Sequence, residues 1–381
     1  MDVYAFHLMP YPAGEDPVAW PITGDRYDPE IGIDLYERYL AQLVYAETLG
    51  FDGVACNEHH YRAFGLMPAP NIIATALAAR TDEVDIALYG NILPLRDNPV
   101  RLAEELAMVD NLSEGRLVSG FVRGLPQEYE AYGIDQDESR DRFNEAWDLI
   151  VSAWTEPDPF EFRGEYYEYE DVFIWPRPVQ DPHPPLRRPA VSEASIRHTV
   201  DHRVPTSRVF CPTDAMADSF AQYRELAEAA GWTPGDEYFE ACRLVYVGES
   251  MEAAREEAEE HVEYLYRTLL ISSFRTAAVF EAGDTAYDPE RAHVYEEIVE
   301  EMLDPFGDQW ARADFDELQA SGEIIVGDPT YVSEELERQY DRIGGFGTLI
   351  NLFQFGSLPD HLARANLERF ADEVMPEIAR L

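Results

Sequence analysis

Residues 84–121 read VDIALYGNILPLRDNPVRLAEELAMVDNLSEGRLVSGF, and this stretch decides the fold class. The apolar run Val84–Leu93 predicts a strand. Asn98 is placed to cap a helix over Pro99–Leu112, which begins with the proline that first helical turns tolerate. The run Arg116–Phe121 predicts the next strand. A strand, a helix and a strand in this order predict a βαβ unit of a parallel sheet.

The same alternation continues through most of the chain. Further strands are predicted over Val3–Leu8, Phe51–Cys56, Pro189–Ser192, Thr206–Phe210, Phe239–Val247 and Thr348–Phe355. Eight strands separated by helices fit one closed (β/α)8 barrel, a TIM barrel, better than two doubly wound sheets. We therefore predict a single domain over residues 1–381, with its chemistry at the carboxyl ends of the strands. Residues 277–327 show no sustained period and are predicted to form an insertion or lid before the last strand.

Most of the charged residues are acidic. The chain has 75 acidic residues against 29 basic ones, a formal net charge of −46, and every basic residue is arginine. The absence of lysine excludes Schiff-base chemistry and a lysine-bearing phosphate loop. The negative surface makes nucleic acid and anionic membranes poor partners. Because molar salt shortens the Debye length to about 3 Å and screens such repulsion, we predict a halophilic source.

The remaining composition points to the cytoplasm. The three cysteines, Cys56, Cys211 and Cys242, are few and odd in number, which fits a reducing compartment without a disulfide framework. Met1–Tyr4 lacks the basic start of a signal peptide. The longest uncharged run, residues 64–79, is too short and too polar to cross a bilayer. We expect a cytoplasmic protein.

Glu58, His59 and His60 directly follow the strand that ends at Cys56. Histidine suits proton transfer near neutral pH, and an adjacent carboxylate raises its basicity and fixes its tautomer. His59 and Glu58 are therefore candidate catalytic residues. The alternatives are a histidine that satisfies a buried polar contact and a metal ligand. Successive residues of an extended chain point to opposite sides, so at most one histidine would ligate a metal with Glu58, and we predict no metal.

Two later strand ends carry candidates for anion binding. Arg123 closely follows the strand Arg116–Phe121, and its planar guanidinium suits a phosphate or a carboxylate. It could equally pair with a local acidic residue. Ser192 opens a helix, where a hydroxyl and free backbone N–H groups can receive a phosphate. Ordinary capping of that helix is the alternative for Ser192.

Six segments, in this order, resemble the bacterial luciferase-like flavin monooxygenase family. They are Asn57–Leu66, Asn98–Glu105, Leu112–Arg116, Arg123–Leu125, Ser139–Arg140 and Val374–Pro376. The resemblance implies a (β/α)8 barrel that binds reduced FMN and reacts it with O2. The flavin hydroperoxide so formed would oxidise a small hydrophobic substrate such as an aldehyde. It also implies a separate flavin reductase and a homodimer formed through the helices next to the second and third strands.

The resemblance also implies roles for individual residues. His59 matches the active-site histidine of the family, and Arg123 matches the arginine that binds the FMN phosphate. Ser192 falls on a phosphate-contacting serine. Tyr89-Gly90-Asn91 falls where the family has a cis peptide beneath the flavin ring. Residues 277–327 fall where the family carries a mobile lid, which keeps water from the reacting flavin.

Three positions depart from the family pattern. Val122 stands where a reactive cysteine is found, Val191 where a glutamate is found, and Pro126 where an aromatic residue is found, so no light emission is predicted.

Two other functions stay open. One alternative is a hydride-transferring oxidoreductase that uses a deazaflavin coenzyme on the same barrel. Another is a non-catalytic flavin-binding protein. Candidate substrate-lining residues are apolar, and the same residues could as easily belong to the barrel core: Phe6, Met9, Phe64, Trp175 and Phe355.

Overall fold

The computed structural model describes residues 1–12, 24–63, 65–270 and 314–381. Their strands are β1 (Asp2–His7), β2 (Gly53–Cys56), β3 (Asp85–Ile92), β4 (Leu117–Val122), β5 (Phe160–Arg163), β6 (Glu168–Val172), β7 (Leu186–Arg187), β8 (Thr206–Arg208), β9 (Phe239–Val247), β10 (Ile324–Gly327) and β11 (Thr348–Gln354). β5 and β6 pair as a small antiparallel hairpin. The other nine strands form one sheet in which every pair is parallel.

This sheet curls into a barrel with eight strands around its wall. Neighbouring wall strands follow the order β8, β9, β11, β1, β2, β3, β4, β7. The two ends of this order meet where the Arg188 N–H donates to the Pro205 carbonyl oxygen at 3.1 Å. The ninth strand, β10, pairs with Leu244–Val247 on the side of β9 that β8 also uses, so it extends the wall lengthwise. The predicted (β/α)8 barrel is confirmed.

Helices cover the outside of the wall. They are α1 (Pro29–Thr48), α2 (Pro70–Ala78), α3 (Pro99–Leu112), α4 (Pro126–Tyr132), α5 (Ser139–Thr155), α6 (Glu193–Asp201), α7 (Thr213–Ala229), α8 (Met251–Tyr264), α9 (Phe315–Ser321), α10 (Pro329–Ile343), α11 (Asp360–Arg369) and α12 (Met375–Ile378). The Asn98 side chain caps α3 by accepting from the Arg101 N–H at 3.2 Å, as predicted. Within the described ranges, every helix is too short or too polar to cross a bilayer.

An apolar layer between the wall and the helices fixes their positions. Phe121 of β4 contacts Trp147 of α5 edge to face and stacks on Trp154, two helical turns further along the same helix. The Trp154 indole N–H donates to the Ala103 carbonyl oxygen of α3 at 3.0 Å. All three cysteines of the chain are buried and unbridged. This layer holds the strand ends, and so the mouth of the barrel, in fixed register.

One predicted strand is wrong. The segment Pro189–Ser192 is irregular, and the wall strand β7 lies earlier, at Leu186–Arg187. Pro189 has no N–H to donate to a neighbouring strand, so the ladder ends before it. The shift moves the strand end, and the side chains expected there, to Arg188.

The described carboxyl-terminal end of the predicted insertion contains regular structure. Residues 315–327 form α9 and the barrel strand β10, and α10 follows them. The apolar run of β10 has only four residues and follows an acidic helix, so it gave no periodic signal. Residues 277–313, the rest of the predicted insertion, lie outside the described residues.

Candidate active site at the carboxyl end of the barrel

His59 lies at the mouth of the barrel, just beyond the carboxyl end of β2. Its Nδ1 is 3.1 Å from Glu128 Oε1, and its Nε2 is 3.1 Å from Asn57 Nδ2. Because a carboxylate accepts and an amide NH2 donates, these partners place the proton on Nδ1 and the lone pair on Nε2. Burial lowers the pKa of His59, although the Glu128 carboxylate opposes the shift. The ring is therefore neutral near pH 7 and can accept a proton at Nε2.

Glu58 does not contact His59. Its buried carboxylate lies 2.7 Å from His60 Nε2 through one oxygen. The other oxygen accepts from the Ile92 N–H at 3.2 Å and from the Arg96 guanidinium. Successive residues of an extended chain point to opposite sides, which separates the two side chains. The prediction that Glu58 fixes the tautomer of His59 is therefore wrong, and Glu58 instead ties β2 to β3.

The carboxylate that orients the active-site histidine comes from helix α4. Gly124 turns the chain after β4 with a φ of +93°, and a Cβ there would lie 3.2 Å from Glu128 Oε2. α4 then begins at Pro126, and Glu128 in its first turn accepts from the Leu125 N–H at 2.8 Å. This is the return bond of a capping box, in which a glutamate side chain reaches back to the start of its own helix.

The Glu128 carboxylate is held in its ionised form. Burial alone would raise the pKa of Glu128, but the hydrogen bond from His59 and the charge of Arg62 lower it. The N–H of Leu125 adds to this lowering. An ionised, buried acceptor thus faces Nδ1 of His59, the arrangement that stabilises an imidazolium when the opposite nitrogen takes up a proton.

Two arginines at neighbouring strand ends form a basic patch. Arg123 follows β4 and Arg188 follows β7, and these two strands are paired. Burial lowers the pKa of Arg188, and the nearby charges of Arg140 and Arg123 lower it further. Within the described part of the chain, no carboxylate forms an ion pair with Arg123 or Arg188. The expectation that Arg123 could pair with a local acid is not met there.

Ser192 lies four residues beyond Arg188 and caps helix α6. Its Oγ accepts from the Ser195 N–H at 3.4 Å, so the predicted capping role is present. The first N–H groups of a helix have no acceptor within the helix, and such helix ends attract anions. Arg188 Nη1 is buried, and no group in the described ranges forms a hydrogen bond with it. A phosphate group fits this donor set, because it would supply the acceptors that these groups lack.

The peptide bond between Tyr89 and Gly90 is cis, as the resemblance implied. A Cβ on Gly90 would lie 2.4 Å from a backbone oxygen of β4, so only glycine allows this close approach. The Tyr89 hydroxyl donates to Glu240 at 2.9 Å, and the Asn91 amide donates to Asn71 at 3.1 Å. Both side chains are committed to the barrel itself, so cofactor binding by them would have to use their backbone.

Below the mouth, the barrel interior contains a buried charge pair. Arg187 Nε donates to Glu240 Oε1 at 2.7 Å. Glu240 also accepts from Tyr89, which links the pair to the strand that carries the cis peptide. Burial raises the pKa of Glu240, although Arg187 and Tyr89 oppose the shift.

The apolar residues predicted to line a substrate pocket divide into two groups. Phe6, Met9 and Phe355 are buried at or near the carboxyl ends of β1 and β11. Trp175 is 79% exposed, and the carbonyl of nearby Arg177 accepts from Asn111 at the end of α3 that leads into β4. Trp175 therefore lies toward the amino-terminal face, and its prediction is wrong. Phe64 lies outside the described residues.

Sequence reasoning missed Glu128 and Arg188. A signal for Glu128 was present, because Pro126 followed two residues later by glutamate is typical of a helix start. No comparable signal distinguishes Arg188 from Arg187 before the strand is placed. Among the described residues, no group of three or more His, Cys, Asp or Glu side chains is arranged to hold a metal ion.

Comparison with known proteins identifies relatives that match most of the chain. The profile of the family described as luciferase-like monooxygenase matches residues 20–345. The alkanal monooxygenase alpha chain of Photobacterium leiognathi is 25% identical over 351 residues, which cover 91% of this chain and 94% of that one. The crystal structure of monooxygenase RslO1 from Streptomyces bottropensis superposes with a TM-score of 0.76 at 26% identity, covering 99% of each chain.

A further relative is the uncharacterized protein y4wF of Sinorhizobium fredii. It is 35% identical over 234 residues, which cover 59% of this chain and 66% of that protein, just under two thirds of its length. The family profile spans most of the chain, and it includes the histidine, glutamate and arginine positions described above. The chain belongs to the luciferase-like monooxygenase family.

Proposed function

We propose that the chain is a flavin-dependent monooxygenase that uses reduced FMN and O2 to oxidise a small hydrophobic substrate such as an aldehyde. The observation that carries this proposal is the neutral His59, held by the ionised Glu128 at the barrel mouth. Such a couple is suited to general acid–base work, because the carboxylate stabilises the charge that the ring acquires. Membership of the family supports an oxidoreductase.

In this proposal His59 moves a proton at Nε2. The ring accepts the proton while Nδ1 donates to Glu128, and it returns the proton when the oxidised product forms. Asn57 currently donates to Nε2 at 3.1 Å, so it must release this nitrogen during the transfer. Asn57 and Glu128 together keep the ring in one tautomer and one orientation.

Bound FMN would supply the oxygen-activating chemistry, and a separate flavin reductase would deliver it in reduced form. Arg123 and Ser192 would hold the phosphate at the start of α6. The backbone at Gly90 would lie against the ring system, where β3 and β4 approach each other closely. Buried Phe6, Met9 and Phe355 support an uncharged, hydrophobic substrate.

We further propose a homodimer formed through α2 and α3. Ile72 on α2 is 69% exposed, and Leu112 on α3 is 57% exposed. Met108, one helical turn before Leu112, is also exposed. Exposed apolar side chains on two neighbouring helices are typical of a surface that a second subunit covers.

The test of the function is the variant His59→Ala, studied in molar KCl with FMN, a flavin reductase and a panel of aldehydes. We expect FMN affinity within about twofold of the wild type and a loss of coupled substrate oxidation of at least about 100-fold. Reduced flavin would still be consumed, with hydrogen peroxide released in place of oxidised product.

The matched control is His361→Ala, because His361 is an exposed histidine far along the chain on α11. It should leave coupled oxidation unchanged. Equal turnover in His59→Ala and the wild type would contradict the assigned role of His59. The absence of any oxidised product from the wild type across the panel would favour the non-catalytic alternative.

A further inference from the structure

Arg188 is a buried cation at the barrel mouth. The residue is only 4% exposed, and its guanidinium carbon lies 4.1 Å from the centre of the Phe143 ring. Phe143 belongs to α5, so the side chain points from the end of β7 into the layer between the wall and the helices. Its Nη1 is buried and has no hydrogen-bond partner among the described residues.

The charged groups around Arg188 make this burial unfavourable. Repulsion from the nearby cations Arg140 and Arg123 lowers the pKa of Arg188. His198 on α6 also lies close, and the charge of Arg188 lowers the pKa of that histidine. Within the described residues, no acidic side chain counteracts this lowering of the pKa of Arg188.

An uncompensated buried charge is costly, and the Phe143 ring recovers only part of that cost. In a chain with 75 acidic residues, a partner for Arg188 would be easy to supply, yet none of the described ones is placed beside it. The missing anion is therefore expected to come from a ligand. A phosphate supplies both the negative charge and an acceptor for Nη1.

We propose that Arg188 binds the terminal phosphate of the cofactor and makes the site specific for a phosphomonoester. This inference rests on the proposed function, since it takes that cofactor to be FMN. A phosphomonoester carries up to two negative charges and three free oxygens to share between Arg188, Arg123 and the start of α6. A flavin without phosphate leaves Arg188 uncompensated. In FAD the flavin-side phosphate is joined to a second phosphate through an anhydride, and in a deazaflavin coenzyme it is a phosphodiester. Either phosphate group carries one charge and has only two free oxygens.

The experiment compares the affinities of FMN, riboflavin and FAD for the wild type and for Arg188→Met, at one fixed KCl concentration. Methionine keeps an unbranched side chain over Phe143 and removes the charge. We expect FMN affinity to fall about 10- to 100-fold in Arg188→Met, and riboflavin affinity to stay within about twofold. The preference of the wild type for FMN over FAD should shrink by a similar factor.

The matched control is Arg197→Met, because Arg197 lies on α6 and forms an exposed ion pair with Glu193. It should leave the FMN-to-riboflavin ratio unchanged. Arg188→Gln serves as a second variant if Arg188→Met does not fold. An unchanged FMN-to-riboflavin ratio in a folded Arg188 variant would overturn the proposal while leaving the flavin function intact.

A second readout separates this proposal from the flavin function. Inorganic phosphate should raise the melting temperature of the wild type and have little effect on Arg188→Met. If the wild type binds no flavin but shows this difference with phosphate, the proposed function fails and the phosphate site at Arg188 is supported. Equal stabilisation of both proteins by phosphate would overturn the site.

Discussion

Arg187 and Arg188 are adjacent residues of the same type, and both are largely buried, yet their surroundings differ completely. Arg187 points into the barrel, where it donates to Glu240 at 2.7 Å. Arg188 points outward into the helix layer, where it meets Phe143 and two other arginines. Burial acts against both cations, but the pKa of Arg187 is raised by Glu240, while the pKa of Arg188 is lowered.

The alternation of side chains along a strand explains how neighbours reach such different environments. The difference also separates two uses of a buried charge. Glu240 compensates the charge of Arg187 within the protein, and this ion pair is part of the packed barrel interior. Among the described residues, Arg188 has no such compensation, so its charge is available to a ligand. We infer that Arg187 stabilises the barrel and that Arg188 binds a ligand at the site.

The largest effect is expected from Glu240→Ala, which would make Arg187 resemble Arg188. Removing one partner of a buried ion pair leaves the other charge uncompensated, at a cost of about 3–5 kcal/mol in the free energy of unfolding. The hydroxyl of Tyr89 would also lose its acceptor. Urea unfolding of the flavin-free protein in molar KCl measures this loss.

The control for that experiment is the double variant Arg187→Met with Glu240→Leu. Replacing both charges by apolar groups of similar volume should recover most of the stability, because neither ion then has to be desolvated. A Glu240→Ala protein as stable as the wild type would show that water compensates Arg187, and the contrast between the two arginines would be lost.

Much of the fold was predictable from sequence because it depends on local patterns. The helix Pro99–Leu112 and the strand Phe239–Val247 are found with the predicted bounds, since each has a clear period and a clear start or end. The strand Ile324–Gly327 was missed because four apolar residues carry no period of their own. Its pairing with β9 is a tertiary effect.

The candidate site was predictable in part for the same reason. His59 and Arg123 follow apolar runs, so their place at the barrel mouth follows from the fold class. Which carboxylate meets His59 did not follow, because Glu58 is adjacent in sequence while Glu128 arrives from another helix. Contacts between distant segments depend on packing that a single sequence does not display.

A smaller effect is expected from Arg188→Met in the protein without phosphate or flavin. Removing an uncompensated buried cation relieves its desolvation cost, while the contact with the Phe143 ring, about 0.5–2 kcal/mol, is lost. We expect a net gain of about 1 kcal/mol in the free energy of unfolding. Urea unfolding without phosphate measures it, and the same substitution at Arg187 should instead destabilise the protein.

A loss of stability in Arg188→Met comparable to that of Glu240→Ala would contradict the contrast. It would mean that Arg188 has a structural role equal to that of the interior pair. The unfolding curves must be compared at the same KCl concentration, because salt changes the cost of every uncompensated charge in so acidic a chain.

The smallest effect concerns His198, which reports the charge of Arg188 directly. Burial lowers the pKa of His198 to about 2, and the positive charge of Arg188 is the next cause. Arg188→Met should therefore raise the pKa of His198, which nevertheless stays below its usual value because burial remains. Phosphate bound to the wild type should also raise the pKa of His198, because it neutralises the charge of Arg188.

Histidine-selective NMR titration measures this shift, and His202 serves as the internal control. The Asp148 carboxylate, 3.8 Å from Nε2, raises the pKa of His202, and Arg188 is only a minor influence on that ring. His202 should therefore titrate nearly alike in the wild type and in Arg188→Met. If neither the substitution nor phosphate changes the titration of His198, the guanidinium of Arg188 is already neutralised by another group, and its assignment to the ligand fails.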